Sequence, residues 1–537
     1  MTPDICVIGS GAGGSTLASD LARRGKRVTL LELGRRVVAK TDFAREQCDD
    51  EGVPRAFKEF EANSSYTSPD DQKLLEGFDA LRSFSEFNPK PALKTRPNAE
   101  LFRVLGIGGS TLHFQACSDR WAPAEFKGTA LENVDLAPWY ALAEERLSVH
   151  GVKPWHRHPP HELGVASRRL QAAFERAGMK LNPASLAILS KPDENSGRNG
   201  CARFNRCSSG CPTGAKSSYD LAMLAPAEKA HAENLTVITR AQALRLIPDR
   251  HAPQKIEAVE YADFSDPLHP EGITRRLEAP TFVVACGPIE TPRLLLLSAS
   301  RANPDGLGNA HDRVGRGVVE QLDLALTVLF NEPLRSYLGP SMEAMAETEI
   351  DGRSCVVTLT QEALGLVRPL DYAHRMTSHP FGAARVDDVV AAYGRAVGIL
   401  IETGTTRSLE NRITLDPGAR DALGRPAARL TTQHSRADLE LLLKMRDLGL
   451  KLVKESGGKL VEQECCYDSP PGGAEMRSSC CMDEDPKAGV VDAHQKIHGC
   501  DNVYVCDTSV IPAAGPGNPS LTTAALALRL SENLAGK

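Results

Sequence analysis

The sequence predicts an α/β protein of two intimately joined lobes, and three observations carry that prediction. At 537 residues the chain is too long for one ordinary hydrophobic core. Its first 31 residues read as strand, glycine-rich turn, helix and strand. From roughly 322 to 480 the composition shifts toward strands, a helical run at Ala437 to Lys454 and cysteine pairs. Hydrophobic residues at 41%, charged residues at 25% and a net charge of −6 belong to a soluble globular protein and point to no nucleic acid.

The opening unit sets the fold class. Asp4 to Ile8 is a short apolar run, Gly9 to Gly14 a glycine-rich turn, Ser15 to Arg24 helix-like, and Val28 to Leu31 a second apolar strand. Gly9, Gly11 and Gly14 form G-x-G-x-x-G between strand and helix, which permits a tight turn, close approach of a pyrophosphate and close helix packing. Glu32 ends the second strand 18 residues after Gly14, where a carboxylate accepts hydrogen bonds from a ribose diol and repels a 2′-phosphate. A Rossmann-like dinucleotide domain is expected, with FAD and NAD both open at this point.

Residues 37 to 95 are polar with scattered Pro and Gly, and read as a surface excursion. A glycine-rich segment, Gly106 to Gly109, then precedes Ser110-Thr111-Leu112-His113, and a Pro/His-rich loop runs from Pro154 to His161. Strand-like Leu235 to Thr239 and Thr281 to Ala285 are placed to return to the first sheet. The tail from Asn502 to Leu534 reads as strand, turn and closing helix. The longest apolar stretches, near Leu294 to Leu297 and Leu324 to Phe330, fall far short of the ~20 residues that cross a bilayer. The first strand starts at Asp4, with no room before it for a secretion signal, so a cytoplasmic chain is expected. Fourteen cysteines diluted in such a chain are expected to be mostly buried thiols.

Three further segments, in order along the chain, resemble the glucose-methanol-choline oxidoreductases. Gly106-Ile107-Gly108-Gly109-Ser110-Thr111 is similar to that family's glycine loop beside the flavin. Ala285-Cys286-Gly287-Pro288-Ile289-Glu290-Thr291-Pro292 is similar to its second signature, AAGAIETP. Val505 to Pro512, followed by Gly517-Asn518-Pro519-Ser520-Leu521-Thr522, resembles its closing motif. The resemblance implies FAD rather than NAD, and an antiparallel α+β substrate domain interleaved with the Rossmann-like one. The implied plan is an FAD-binding lobe over 1–320, a substrate lobe over 322–480, and a return to the first lobe over 485–537. It also implies that Val237 meets the adenine, Asp507 the ribityl chain and the main chain near Pro519 the isoalloxazine. His113 falls where some members bond covalently to the flavin 8α-methyl and others have an uncoupled histidine at the flavin edge; both readings stay open.

The family removes the hydroxyl proton with a histidine while hydride passes to flavin N5, and an asparagine or second histidine binds the oxygen. Asn518 matches the second position. The first departs: counting back from Cys480-Cys481-Met482-Asp483-Glu484-Asp485-Pro486, similar to the family's CRMGTDP, places Glu475 where histidine is expected. A carboxylate of ordinary pKa about 4.3 is a poorer base than imidazole, although burial raises it. A solvated loop glutamate, its register shifted by Pro470, Pro471, Gly472 and Gly473, is the alternative, and a histidine from elsewhere a third. His494 and His498 are not favoured as catalysts.

Cys201-x5-Cys207-x3-Cys211 is similar to the cysteine loop of the branch containing bacterial sugar dehydrogenases with an iron-sulfur cluster. Three soft thiolates suit a 3Fe-4S centre, with structural thiols and a zinc site as rivals. His156, His158 and His161 are expected to be solvated side chains of a Pro-rich loop rather than metal ligands, and Cys465-Cys466 and Cys480-Cys481 to fill space. The activity implied is FAD-dependent oxidation of an alcohol, sugar or polyol hydroxyl, by a dehydrogenase with an electron-acceptor protein if the cluster is present. An oxygen-using oxidase, or non-oxidative flavin chemistry such as a lyase or decarboxylase, is the alternative the missing histidine leaves open.

Overall fold

The computed structural model describes residues 2–39, 85–87, 104–208, 210–361, 372, 379, 382–465 and 475–536. Of the excursion expected over 37–95, only 37–39 and 85–87 are among them, and Cys466 and the 470–473 turn lie outside.

Five parallel strands form the first sheet, in the spatial order Val503–Val505, Thr281–Val284, Ile5–Ile8, Val28–Leu31, Leu235–Ile238. The first strand is central, with the second and third on one side and the fourth and fifth on the other. That is the dinucleotide-binding order, which leaves a crevice beyond the carboxyl end of the first strand. Every residue of Ile5–Ile8 and Val28–Leu31 is buried, as continuous apolar runs require when layers cover both faces. On one face, Leu17 and Leu21 of helix Ala12–Arg23 and Ala527 and Leu530 of helix Ser520–Ala535 share a core with Val7, Leu30 and Val283. The strands expected near 235 and 281 do return to this sheet, each ending one residue earlier than read.

Six antiparallel strands form the second large sheet, ordered Lys459–Cys465, Gln321–Leu329, Ala396–Gly404, Arg353–Thr360, Met342–Ile350, Asn182–Pro183. Side chains alternate between its faces. Leu326, Val357, Ile399 and Ile401 pack beneath Leu170 and Phe174 of helix Val165–Ala177 and Leu441 and Met445 of helix Arg436–Ser456. The latter starts on a Ser435/Asp438 capping box and stops at Gly457, whose φ of 69° suits glycine. Gly449 brings this helix onto the sheet, since a Cβ there would lie 2.5 Å from Leu326 Cδ1.

The opposite face carries Met345, Val356, Thr358 and Glu402 and looks onto the first lobe, with Val356 and Leu400 packed against that lobe's core. Alternation along one sheet thus separates a dry core from a cavity wall. Among the described residues no helix is long and apolar enough to cross a membrane.

Candidate active site

The three glycine-bearing segments and the closing motif converge on the crevice. A Cβ on Gly9 would lie 2.3 Å from the Ala285 carbonyl oxygen, one on Gly13 1.8 Å from that of Cys506, and one on Gly109 3.0 Å from Gly11 Cα. Gly108, at φ +105°, donates its amide to the Ser10 carbonyl at 3.1 Å. Glycine is required here because four backbones pass within contact of one another. By contrast, a Cβ on Gly11 would meet nothing within 4 Å, and the first turn of helix Ala12–Arg23 carries no acidic side chain. Open space over a helix N-terminus with no competing carboxylate fits a pyrophosphate.

Glu32 is buried, which raises its pKa, and its oxygens accept from Ser10 N at 2.9 Å, Ser10 Oγ at 2.6 Å and Gly34 N at 2.8 Å. It therefore braces the turn, with carboxylate capacity left for a ribose hydroxyl. Val237 is partly buried at the far edge of the sheet. Asp507 accepts from Gly287 N at 3.0 Å, Thr291 Oγ1 at 2.5 Å and Ser509 N at 2.8 Å, knitting the second signature to the closing motif. Gly14 serves the turn itself, since its Cβ would fall 1.9 Å from Gly9 O.

Ser110 lies in a short 3-10 turn, Gly109–Leu112, that delivers His113. The ring Nδ1 of His113 lies 2.8 Å from the Ser208 carbonyl, which only accepts, so Nδ1 carries the proton and Nε2 the lone pair. Burial first, then the Lys216 charge, push its pKa down to about 4, so the imidazole is neutral at neutral pH. Lys216 is fully buried and donates Nζ to the carbonyls of Leu112 (2.8 Å), Phe114 (3.0 Å) and Cys207 (2.6 Å). One ammonium thus fastens the cysteine loop to the segment bearing His113.

The three-cysteine cluster is not assembled. Cys201 Sγ accepts from the Arg203 amide and Cys211 Sγ from the Lys216 amide, each at 3.4 Å, while Cys207 is buried in the core. Burial raises the Cys201 pKa, against the hydrogen bond from the Arg203 amide. Among the described residues no group of three His, Cys, Asp or Glu is placed to hold a metal, so the 3Fe-4S expectation finds no support among them. The histidine loop also departs from expectation. His161 is buried with Nε2 2.9 Å from the Ile188 carbonyl, and the His150 ring sits 4.8 Å from His158 and 5.0 Å from His161. The loop folds back against His150 instead of standing in solvent, and burial lowers the pKa of His150, His156 and His161. Cys480 and Cys481 are buried thiols, as expected.

A cavity of about 910 Å³ lies between the lobes, lined by Asn518 and Gly517 from the closing motif and by Glu402 from the antiparallel sheet. Trp121, Phe126, Tyr140 and Trp155 supply aromatic wall. Its two basic residues are neutralised, Arg120 by Glu144 at 2.5 Å and Lys153 by Glu347 at 2.6 Å. Asp119, Glu125, Glu132, Asp135 and Glu349 add further carboxylates, so the lining is strongly acidic. Burial, opposed by a Ser185 hydrogen bond and reinforced by the Glu347 charge, pushes Asp119 up to about 6. No histidine lines the cavity among the described residues.

Glu475 is partly buried and is not among the residues that line this cavity. Its carbonyl accepts from Arg477 Nη1 at 2.8 Å, and Arg477 also donates Nε to Ala514 O at 2.5 Å and Nη2 to Gly515 O at 3.2 Å. Arg477, fully buried, therefore holds the turn leading to Asn518. Glu402, Arg477 and Lys216 escaped the sequence reading; the available signal for Glu402 was a lone acid near the end of an otherwise apolar strand, Ala396–Gly404.

Sequence models described as GMC oxidoreductase match residues 114–323 and 407–527, and one described as an NAD(P)-binding Rossmann-like domain matches 7–64. The chain is 29% identical to 6'''-hydroxyparomomycin C oxidase of Streptomyces lividus and to paromamine 6'-oxidase of Streptomyces fradiae, covering 99% of this chain and 91% of each of those. It is 25% identical to the fructose dehydrogenase large subunit of Gluconobacter japonicus, over 99% of this chain and 97% of the other. Among solved structures, pyridoxine 4-oxidase from Mesorbium loti superposes with a TM-score of 0.63 at 18% identity, over 99% and 98% of the two chains.

Proposed function

Because this chain belongs to the GMC oxidoreductase family, we propose that it uses FAD to oxidise a hydroxyl group on a cationic, amine-bearing sugar or polyol. The observation that carries the reading is the cavity, which brings Asn518, at the end of the flavin-type closing motif, to an acidic and aromatic wall. FAD, when bound, supplies the acceptor for the hydride that leaves the carbinol carbon. Gly9, Gly11, Gly14, Gly108, Gly109 and Ser110 would hold its phosphates by backbone, Glu32 the ribose, Val237 the adenine, Asp507 the ribityl chain and the backbone at Pro519 the ring. The neutral His113 would lie at the flavin edge with its lone pair on Nε2, the protonation state a bond to the 8α-methyl requires.

Asn518 would donate its amide to the substrate oxygen as negative charge develops there, a stabilisation that needs no change of protonation. The proton goes to a carboxylate, since the described lining holds no histidine. The outer acids would bind substrate ammonium groups, in keeping with the amino-sugar names of two relatives. Aromatic faces would receive the apolar faces of sugar rings and nearby cations.

The test is flavin bleaching under anaerobic conditions by paromamine and by fructose. Bleaching by paromamine at lower concentration than fructose, with an advantage that shrinks as salt rises, is expected. Flavin that neither reduces overturns the reading. In air, one hydrogen peroxide per turnover marks oxygen as the electron acceptor, and none marks a separate acceptor, such as a partner protein.

A further inference from the structure

We propose that Glu402, on the cavity face of the Ala396–Gly404 strand, is the group that takes the substrate hydroxyl proton, and that Glu475 is its positioning partner. This rests on the hydroxyl-oxidation reading above and names the base that reading requires. Val397, Ile399 and Ile401 point into the helix-covered core, so period-two alternation turns Glu402 toward the first lobe, where it lines the cavity with Asn518. The residue the family motif singles out, Glu475, does not line that cavity.

The surroundings of Glu402 decide its chemistry. It is 5% exposed and stands directly opposite Asp323 in the antiparallel register with Gln321–Leu329. Two ionised carboxylates directly opposite in a buried sheet repel. The charged and titratable groups acting on it are Glu475 and Asp323, which disfavour its ionisation, and Arg477, which favours it; the Cys117 thiol, itself pushed up by burial, lies nearby on the same wall. Gln321 also lies beside it and accepts from Arg477 Nη1 at 3.3 Å. Glu402 and Glu475 both lie within electrostatic range of the fully buried Arg477 guanidinium, whose single positive charge opposes theirs. Burial first, then the Glu475 and Asp323 charges, raise the Glu402 pKa well above its ordinary value, and burial raises Glu475 as well, against the Arg477 charge.

In the step, the substrate O–H bond breaks and its proton passes to the Glu402 carboxylate, while the carbinol C–H leaves as hydride to FAD. The alcohol is oxidised to a carbonyl by two electrons, FAD is reduced by the same two, and the proton returns to solvent when Glu402 ionises again.

The experiment measures anaerobic flavin reduction by paromamine or fructose, whichever is faster with wild type, as a function of pH, in wild type, Glu402→Gln and Glu475→Gln holoprotein. Wild type is expected to speed up as pH rises through the apparent pKa of the pair. E402Q is expected to retain bound flavin, lose that limb and slow by about 100-fold or more. E475Q removes a neighbouring negative charge, so its limb should move down by about one pH unit, which a merely structural glutamate would not cause. If E402Q does not fold, the wild-type and E475Q profiles decide, and an unmoved limb overturns the proposal. Reduction as fast in E402Q as in wild type sinks this assignment alone. Flavin that neither substrate reduces in wild type sinks the hydroxyl-oxidation reading and this assignment with it.

Discussion

Gly11 and Gly13 stand two residues apart in one turn, yet alanine at each should fail for a different reason. A Cβ on Gly13 would sit 1.8 Å from Cys506 O and 2.7 Å from Cys506 C, where ordinary contact starts at 3.4 Å. The backbone at 506 must retreat by about 1.6 Å, yet its amide is bonded to Val284 O at 2.8 Å and the strand before it is an edge of the parallel sheet. Overpacking of this kind costs about 1–3 kcal/mol, and with rigid backbone on both sides the upper end is expected. Gly11, with φ −64° and nothing within 4 Å of a built Cβ, can become alanine without strain and should change stability by less than about 1 kcal/mol. The added methyl then occupies the space assigned to the pyrophosphate. FAD affinity should fall at least about tenfold, or about 1.4 kcal/mol. Thermal unfolding of the apoproteins and titration with FAD, followed by quenching of its fluorescence, separate the two effects. Wild-type FAD affinity in Gly11→Ala would refute the placement of the phosphates, and an unchanged midpoint in Gly13→Ala would refute the backbone contact.

Three other outcomes follow from buried charge. Asp119, pushed up to about 6, ionises as pH rises through that value, so KM for paromamine should fall between pH 5 and 7, and Asp119→Asn should flatten the dependence. A KM for paromamine that is flat with pH in wild type would contradict the role given to the acidic wall. Glu320 is buried and pushed up to about 7 from an ordinary 4.5, mainly by burial. Its folded form binds the proton more tightly than the unfolded chain, so stability is full below about 4.5 and is lost as pH rises through 7. Glu320→Gln should therefore unfold at higher denaturant than wild type at pH 8 but not at pH 4, by about 3 kcal/mol at most; a difference that does not change with pH would refute this. Lys216→Met removes the ammonium from three carbonyls and should destabilise by at least about 2 kcal/mol, with His113 titrating at higher pH once the charge is gone. A denaturation midpoint equal to wild type would show that the cysteine loop is held by other contacts.

The sequence by itself determined the parts of this protein whose requirement is local. A tight strand-to-helix turn shows as glycines at fixed offsets, so the turn through Gly9, Gly11 and Gly14 with Glu32 beside it was legible, and motif spacing marked Gly108, Gly109 and Asp507, which the fold brings to the same crevice. The capped helix Arg436–Ser456 was read to within two residues at its C-terminal end because its apolar positions repeat every turn. Tertiary structure alone decided what depends on partners distant in the chain. Glu402 is an ordinary strand-end acid until its register with Asp323 and the approach of Glu475 and Arg477 give it a buried charge balance. The three cysteines carry ligand-like spacing, but spacing fixes only separation along the backbone. In the folded loop Cys201 Sγ accepts from the Arg203 amide and Cys211 Sγ from the Lys216 amide. The histidine loop reads as solvated from its prolines and is packed because His150 lies beneath it. Local chemistry is written in neighbouring residues, whereas the electrostatics of a site is a sum over groups that only folding brings within range of one another.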